Sequence, residues 1–107
     1  MKPSYLEIGA PDAANAQSFF ADLFEWSFTP MENGGWFESG DIKTGLHGND
    51  DRPAIVVYFT VPDIEATVAK VRSLGGTADD PTAEEPGFGR FSTCTDPQGI
   101  RFGLRQE

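Results

Sequence analysis

Glu7, His47, Tyr5 and Tyr58 are the residues whose types and placing in this chain lend themselves to chemistry. Glu7 sits between Leu6 and Ile8 in a strand-like run, so it shares one face with Tyr5 and Gly9 while the two apolar side chains share the other. A carboxylate on a partly buried face can serve as a general base, or its charge can hold a cation. The alternative is a solvated or ion-paired group at a cavity mouth, with Arg101 or Arg105 as its partner. His47 is the single histidine and lies two residues past Gly45, hence on the same strand face. There it acts as a proton shuttle or ligand near neutral pH, or it is a surface residue at a strand end. Glu7, Tyr58 and His47 are thus the candidate acid–base set.

With Glu7 and His47, the residues Tyr5, Trp36, Val56, Tyr58, Arg101 and Arg105 complete the candidate ligand-binding set. Rings give a ligand stacking area, and a tyrosine adds a hydroxyl that can hydrogen-bond. Rings beside an acid suit a flat or cationic organic molecule, the alternative for each ring being plain core packing. Cys94 stands among threonines on a strand-like run with no histidine near it in sequence, which reads as an inert buried thiol. A lone cysteine makes no internal disulfide and no zinc finger. Phosphate-loop, dinucleotide and Ser-His-Asp signatures are absent from the sequence.

The elements that must position these residues repeat. Ile8-Gly9-Ala10-Pro11-Asp12 precedes one helical pattern, and Thr60-Val61-Pro62-Asp63 precedes another 51 residues later. The same offset carries Phe20 to Val71 and Leu23 to Leu74. Such a period predicts two copies of one unit. Each copy reads as strand, helix and three strands. In the first, Tyr5 to Gly9 is a strand and Asp12 an N-cap, and Phe19, Phe20, Leu23 and Phe24 form one apolar helix face. Strands follow over Trp26 to Thr29, Gly35 to Glu38 and Asp41 to His47, with Pro30 and Asn33-Gly34-Gly35 as breaks. In the second, Ala54 to Thr60 is a strand. Asp63 caps a helix whose inward face is Ile64, Val68, Val71 and Leu74, stopped by Gly75-Gly76. Strands are then expected at Thr77-Ala78, Phe88 to Thr95 and Ile100 to Arg105. Asp79 to Pro86 reads as a solvated loop and Asp96-Pro97-Gln98-Gly99 as a tight turn.

The chain has 107 residues, 38% of them hydrophobic, which is a prior for one domain with a true core. We divide it into a first module over about residues 1–48, a linker over 49–53 and a second module over about 54–107. The net charge of −9 disfavours nucleic acid and is compatible with attraction of a cationic ligand or with solubility alone. Met1 runs into Lys2-Pro3 and a strand, with no long apolar stretch, so the expectation is a cytoplasmic protein without a membrane partner.

These features together resemble the vicinal-oxygen-chelate superfamily, the glyoxalase and bleomycin-resistance proteins. The resemblance rests on the two Pro-Asp helix starts, Gly75-Gly76, the run Pro86-Gly87-Phe88-Gly89-Arg90-Phe91, and Asp96-Pro97-Gln98-Gly99-Ile100-Arg101-Phe102-Gly103-Leu104. It implies an α+β fold of two tandem βαβββ modules whose curved mixed sheets surround a cavity, and a homodimer. Metal-dependent members hold a divalent ion with one side chain from each of four strands. By position that set falls here on Tyr5, Gly45, Val56 and Gly103, three of them without any side-chain donor. Glu7 and His47 alone are too few ligands for an ion. The expectation is therefore a protein without a metal or other cofactor that binds a small organic molecule. The alternative is a glyoxalase-like isomerase or lyase using Glu7, Tyr58 or His47, or an ion bound in another way.

Overall fold

A computed structural model describes residues 1–107. The chain divides into two compact units, Ser4–Val56 and Val57–Glu107, the latter joined by Met1–Pro3. Each is built as strand, helix, three strands, so the duplication predicted from the 51-residue offset is present.

In the first unit β1 (Lys2–Gly9) leads into α1 (Ala13–Phe24), then β2 (Phe28–Met31), β3 (Gly34–Glu38) and β4 (Lys43–His47). The sheet order is β2-β3-β4-β1, with β1 parallel to β4 and the other pairs antiparallel. Asp12 starts α1 as expected: its carboxylate accepts the Asn15 amide at 3.1 Å, satisfying one free N–H of the first turn. Ile8, Ala10, Ala16, Phe37 and Leu46 form the buried core, with Phe20, Trp26 and Phe28 packed on it.

The inward stripe of α1 is a correction. Ala16 and Phe20 face the sheet, whereas Phe19, Leu23 and Phe24 are 58%, 56% and 50% exposed. Residues 16 and 20 lie four apart on one side of the helix, and 19 and 23 are turned off that line. β2 also begins later than expected and includes Pro30. Trp26 leaves the strand because its indole packs into the core, 5.7 Å from the Phe37 ring. Pro30 is tolerated because β2 is the outermost strand of this unit's sheet, where a missing N–H need not break a ladder.

The second unit repeats the plan with β5 (Ala54–Thr60), α2 (Ile64–Ser73), β6 (Thr77–Ala78), β7 (Arg90–Thr95) and β8 (Arg101–Gln106). Its sheet order is β6-β7-β8-β5, with β5 parallel to β8. Asp63 accepts the Ala66 amide at 3.1 Å, the counterpart of the Asp12 cap. Gly75, at φ +91°, takes the left-handed conformation after the helix, and the Gly76 amide returns to the Val71 carbonyl at 3.0 Å. Val61, Ile64, Val68, Cys94 and Leu104 form the core. Leu74, expected inside, is 69% exposed because it follows the last helical turn. No helix is long and apolar enough to cross a membrane.

Candidate functional site

Register decides which side chains meet on the first unit. Tyr5 lies opposite Lys43, Glu7 opposite Gly45 and Gly9 opposite His47 across the parallel β1–β4 pair. Across β3–β4, Glu38 faces Lys43, Trp36 faces Gly45 and Gly34 faces His47. Partners in register share a sheet face. Ile8, Leu46 and Phe37 point to α1, so the opposite face carries three rows: Glu38, Lys43 and Tyr5; Trp36, Gly45 and Glu7; Gly34, His47 and Gly9.

On this face a chain of polar groups converges on Glu7. The Tyr5 hydroxyl donates to Glu7 Oε1 at 2.8 Å, and His47 Nδ1 lies 2.6 Å from Glu7 Oε2. The other ring nitrogen of His47, Nε2, lies 3.1 Å from Asp50 Oδ2. Asp50 is itself fixed, its amide donating to the Ala10 carbonyl at 3.1 Å and its Oδ1 accepting the Arg52 amide at 2.9 Å. The carboxylates of Glu7 and Asp50 are each 20% exposed and the imidazole 46%. Partial burial draws the His47 pKa down, but hydrogen bonds and charge from Glu7 and Asp50 outweigh it, and the net displacement is upward from 6.5. Both contacts are satisfied together only when both ring nitrogens carry protons.

Two glycines admit this chain. A Cβ on Gly45 would overlap the Tyr5 hydroxyl and Glu7 Oε1. A Cβ on Gly9 would overlap Asp50 Oδ2 and stand 2.9 Å from His47 Nε2. Trp36 flanks the row: its indole N–H donates to Glu38 Oε1 at 3.1 Å, and the Lys43 ammonium lies 4.9 Å from its ring centroid.

The residues do not fit the divalent ion that metal-dependent members of the superfamily hold. The space at Gly45 is taken by Tyr5 and Glu7, and a Cβ on Gly103 would overlap the Tyr58 ring. Val56 has no donor atom. Both nitrogens of His47 are directed at carboxylates, so neither presents a free lone pair as metal-bound imidazole must.

The structure thus brings Tyr5, Glu7, Trp36 and His47 onto one face, with Val56 on β5 at the end of the same unit. Tyr58, Arg101 and Arg105 belong to the second unit. Tyr58 is 7% exposed, packed edge-on to Phe88 and Phe91 with its ring over Gly103, the surroundings of a core residue. Arg105 pins the loop before β7. Its Nη2 and Nε donate to the Phe88 carbonyl at 2.9 and 3.3 Å, and its guanidinium covers the Phe88 ring at 4.4 Å. That loop, with Arg105 and Glu107, borders a cleft of about 300 Å³. Arg101 is half-buried opposite Thr95. Cys94 is buried, and burial pushes its thiol pKa up, away from nucleophilic character.

Sequence reasoning missed Asp50 and Lys43. Asp50 lay in the polar stretch read as a linker. Its signal was the local Asp-x-Arg turn, which positions a carboxylate beside the end of β4.

Two βαβββ units and a glyoxalase-like family match over nearly the whole chain place the protein in the vicinal-oxygen-chelate superfamily. The glyoxalase-like domain model matches residues 5–105, and the chain belongs to that family. It is 30% identical to the anthracycline biosynthesis protein DauV of Streptomyces sp. (strain C5) over 125 aligned residues, covering 95% of this chain and 46% of that protein. A 71-residue alignment with CFP32 of Mycobacterium tuberculosis (strain CDC 1551 / Oshkosh) is 44% identical, covering 63% of this chain and 27% of that one. The chain spans half or less of the length of these curated relatives. Among solved structures, homoprotocatechuate 2,3-dioxygenase of Arthrobacter globiformis superposes with a TM-score of 0.77 at 20% identity, over 100% of this chain and 36% of that one. Methylmalonyl-CoA epimerase of Mycobacterium tuberculosis gives 0.66 at 16% identity, over 97% and 86%. At these identities the likeness is one of fold.

Proposed function

We propose that this chain is a metal-independent member of its family that binds a small organic molecule on the polar face of the first unit. Glu7 is the anionic anchor, and Tyr5, Trp36 and His47 surround it. The observation that carries this reading is the pair of donors on Glu7: Tyr5 at 2.8 Å and His47 at 2.6 Å hold both carboxylate oxygens in register with Gly45. A carboxylate so held is a fixed charge with an indole two strands away, which is the equipment of recognition. The filled space at Gly45 and Gly103 supports binding without an ion. The name of DauV ties that relative to the making of an organic natural product, which supports an organic ligand for this chain as well.

An acid–base enzyme is the second reading. The 2.6 Å approach of His47 to Glu7 favours it, since a proton can pass between groups that close. In that role Glu7 would take the substrate proton and pass it to His47 in its neutral form, whose Nδ1 lone pair faces Glu7 Oε2. Tyr58, the third acid–base candidate of this reading, is buried among Phe88 and Phe91.

Equilibrium dialysis of chelator-treated protein against a library of aromatic acids, alcohols and amines tests the proposal. Retention of a compound by the wild type, and its loss in Glu7→Gln, supports it. Binding that appears only after a divalent ion is restored contradicts it.

A further inference from the structure

Trp36 on β3 and Lys43 on β4 share the polar face of the first unit with Glu7. The indole does not float: its N–H donates to Glu38 Oε1 at 3.1 Å, which fixes the ring plane. Lys43 stands opposite Glu38 in register, yet its ammonium lies 4.9 Å from the centroid of the Trp36 ring. The Glu38 carboxylate is engaged by the indole N–H, and the ring's electron-rich face takes the cation instead. Lys43 is exposed, and its long stem leaves such a contact readily, because holding it still costs rotamer entropy. The charged groups of this face are Glu7 from β1, Glu38 from β3, Lys43 and His47 from β4, and Asp50 from the loop after β4. Three carboxylates face one lysine and one histidine, on a chain of net charge −9, so the face favours cations.

We propose that the ligand of this site is an organic ammonium ion whose cationic nitrogen sits on the Trp36 ring, and that Lys43 occupies that seat in the free protein. The inference rests on the binding function proposed above and adds the ligand's chemical class. It makes Lys43 a self-competitor, so its removal strengthens binding. A lysine that contributed a favourable contact to an anionic or neutral ligand would behave in the opposite way.

The test uses 2-phenylethylammonium and its neutral analogue 2-phenylethanol as probes, titrated into the whole chain by calorimetry, with the Trp36 indole N–H also followed by NMR in the proteins that keep Trp36. The ammonium probe is expected to shift that resonance and to bind more tightly than the alcohol. Lys43→Ala is expected to tighten the ammonium probe by roughly two- to fivefold, the strength of an exposed cation–π contact. The gain should vanish in Trp36→Leu/Lys43→Ala relative to Trp36→Leu, which separates a contact through the ring from a change in net charge. Unchanged or weaker binding in Lys43→Ala, or a gain that persists without Trp36, overturns the proposal. Equal binding of the alcohol, lost in Glu7→Gln, leaves the binding function standing and overturns the ammonium assignment. Absence of binding by either probe overturns it as well.

Discussion

The Tyr5 hydroxyl stands where a side chain on Gly45 would begin, and from there it donates to Glu7 Oε1 at 2.8 Å. Gly45→Ala should therefore push Tyr5 off Glu7 and destabilise the fold by about 1–3 kcal/mol, the usual range for overpacking. Adding Tyr5→Phe should recover part of that loss, since the hydroxyl is the atom most crowded. Urea unfolding of the single and double variants measures both effects. Equal stability of Gly45→Ala and wild type would show that Tyr5 is not held there.

Stability should depend on pH through His47. Its folded pKa is raised, so the imidazolium contributes stability that is fully present below its unfolded pKa near 6.5 and is lost as pH rises through the folded value. The melting temperature of the wild type should fall across that window more than the melting temperature of His47→Gln. Asp50→Asn should lower the His47 pKa, because it removes one of the two carboxylates that raise it. Histidine ring resonances followed by NMR give that value directly.

Tyr58 should behave as core. Tyr58→Ala is expected to cost about 3–5 kcal/mol, as for other large aromatic truncations, while Tyr58→Phe keeps the packing on Phe88, Phe91 and Gly103. Ligand binding in Tyr58→Phe should be unchanged. A tenfold loss of affinity in that variant would return Tyr58 to the site.

The two helix caps should be equivalent. Asp12 and Asp63 each accept an amide at 3.1 Å, and replacing either by alanine should destabilise by about 1 kcal/mol. Asparagine at either position should restore most of it. Thermal unfolding of the four variants reads the comparison.

Much of the fold was legible because its signals are local. Asp12, Asp63 and Gly75-Gly76 mark helix ends by satisfying or releasing the backbone within one turn, and they lie where the spacing put them. The repeat then set the order of strands. The inward face of α1 was misread because Phe19, Phe20, Leu23 and Phe24 are all apolar, and only packing against Phe37 and Leu46 selects Phe20. Glu7, Tyr5 and His47 could be placed on one side of their strands by alternation alone. Their mutual hydrogen bonds could not, because they depend on the parallel β1–β4 register, joining residues 40 apart in sequence. Asp50 was hidden for the same reason: a turn residue shows its role only when the strand end beside it is known.

The central claim is that Glu7 anchors an organic ligand without an ion. Its most direct measurement is the affinity of a bound compound, titrated calorimetrically with chelator present, for wild type and for Glu7→Gln. The account predicts binding in the presence of chelator and a loss of roughly tenfold or more on neutralising Glu7, as expected when a hydrogen bond to a charged group is removed. Binding that needs a divalent ion, or that is undiminished in Glu7→Gln, would contradict it.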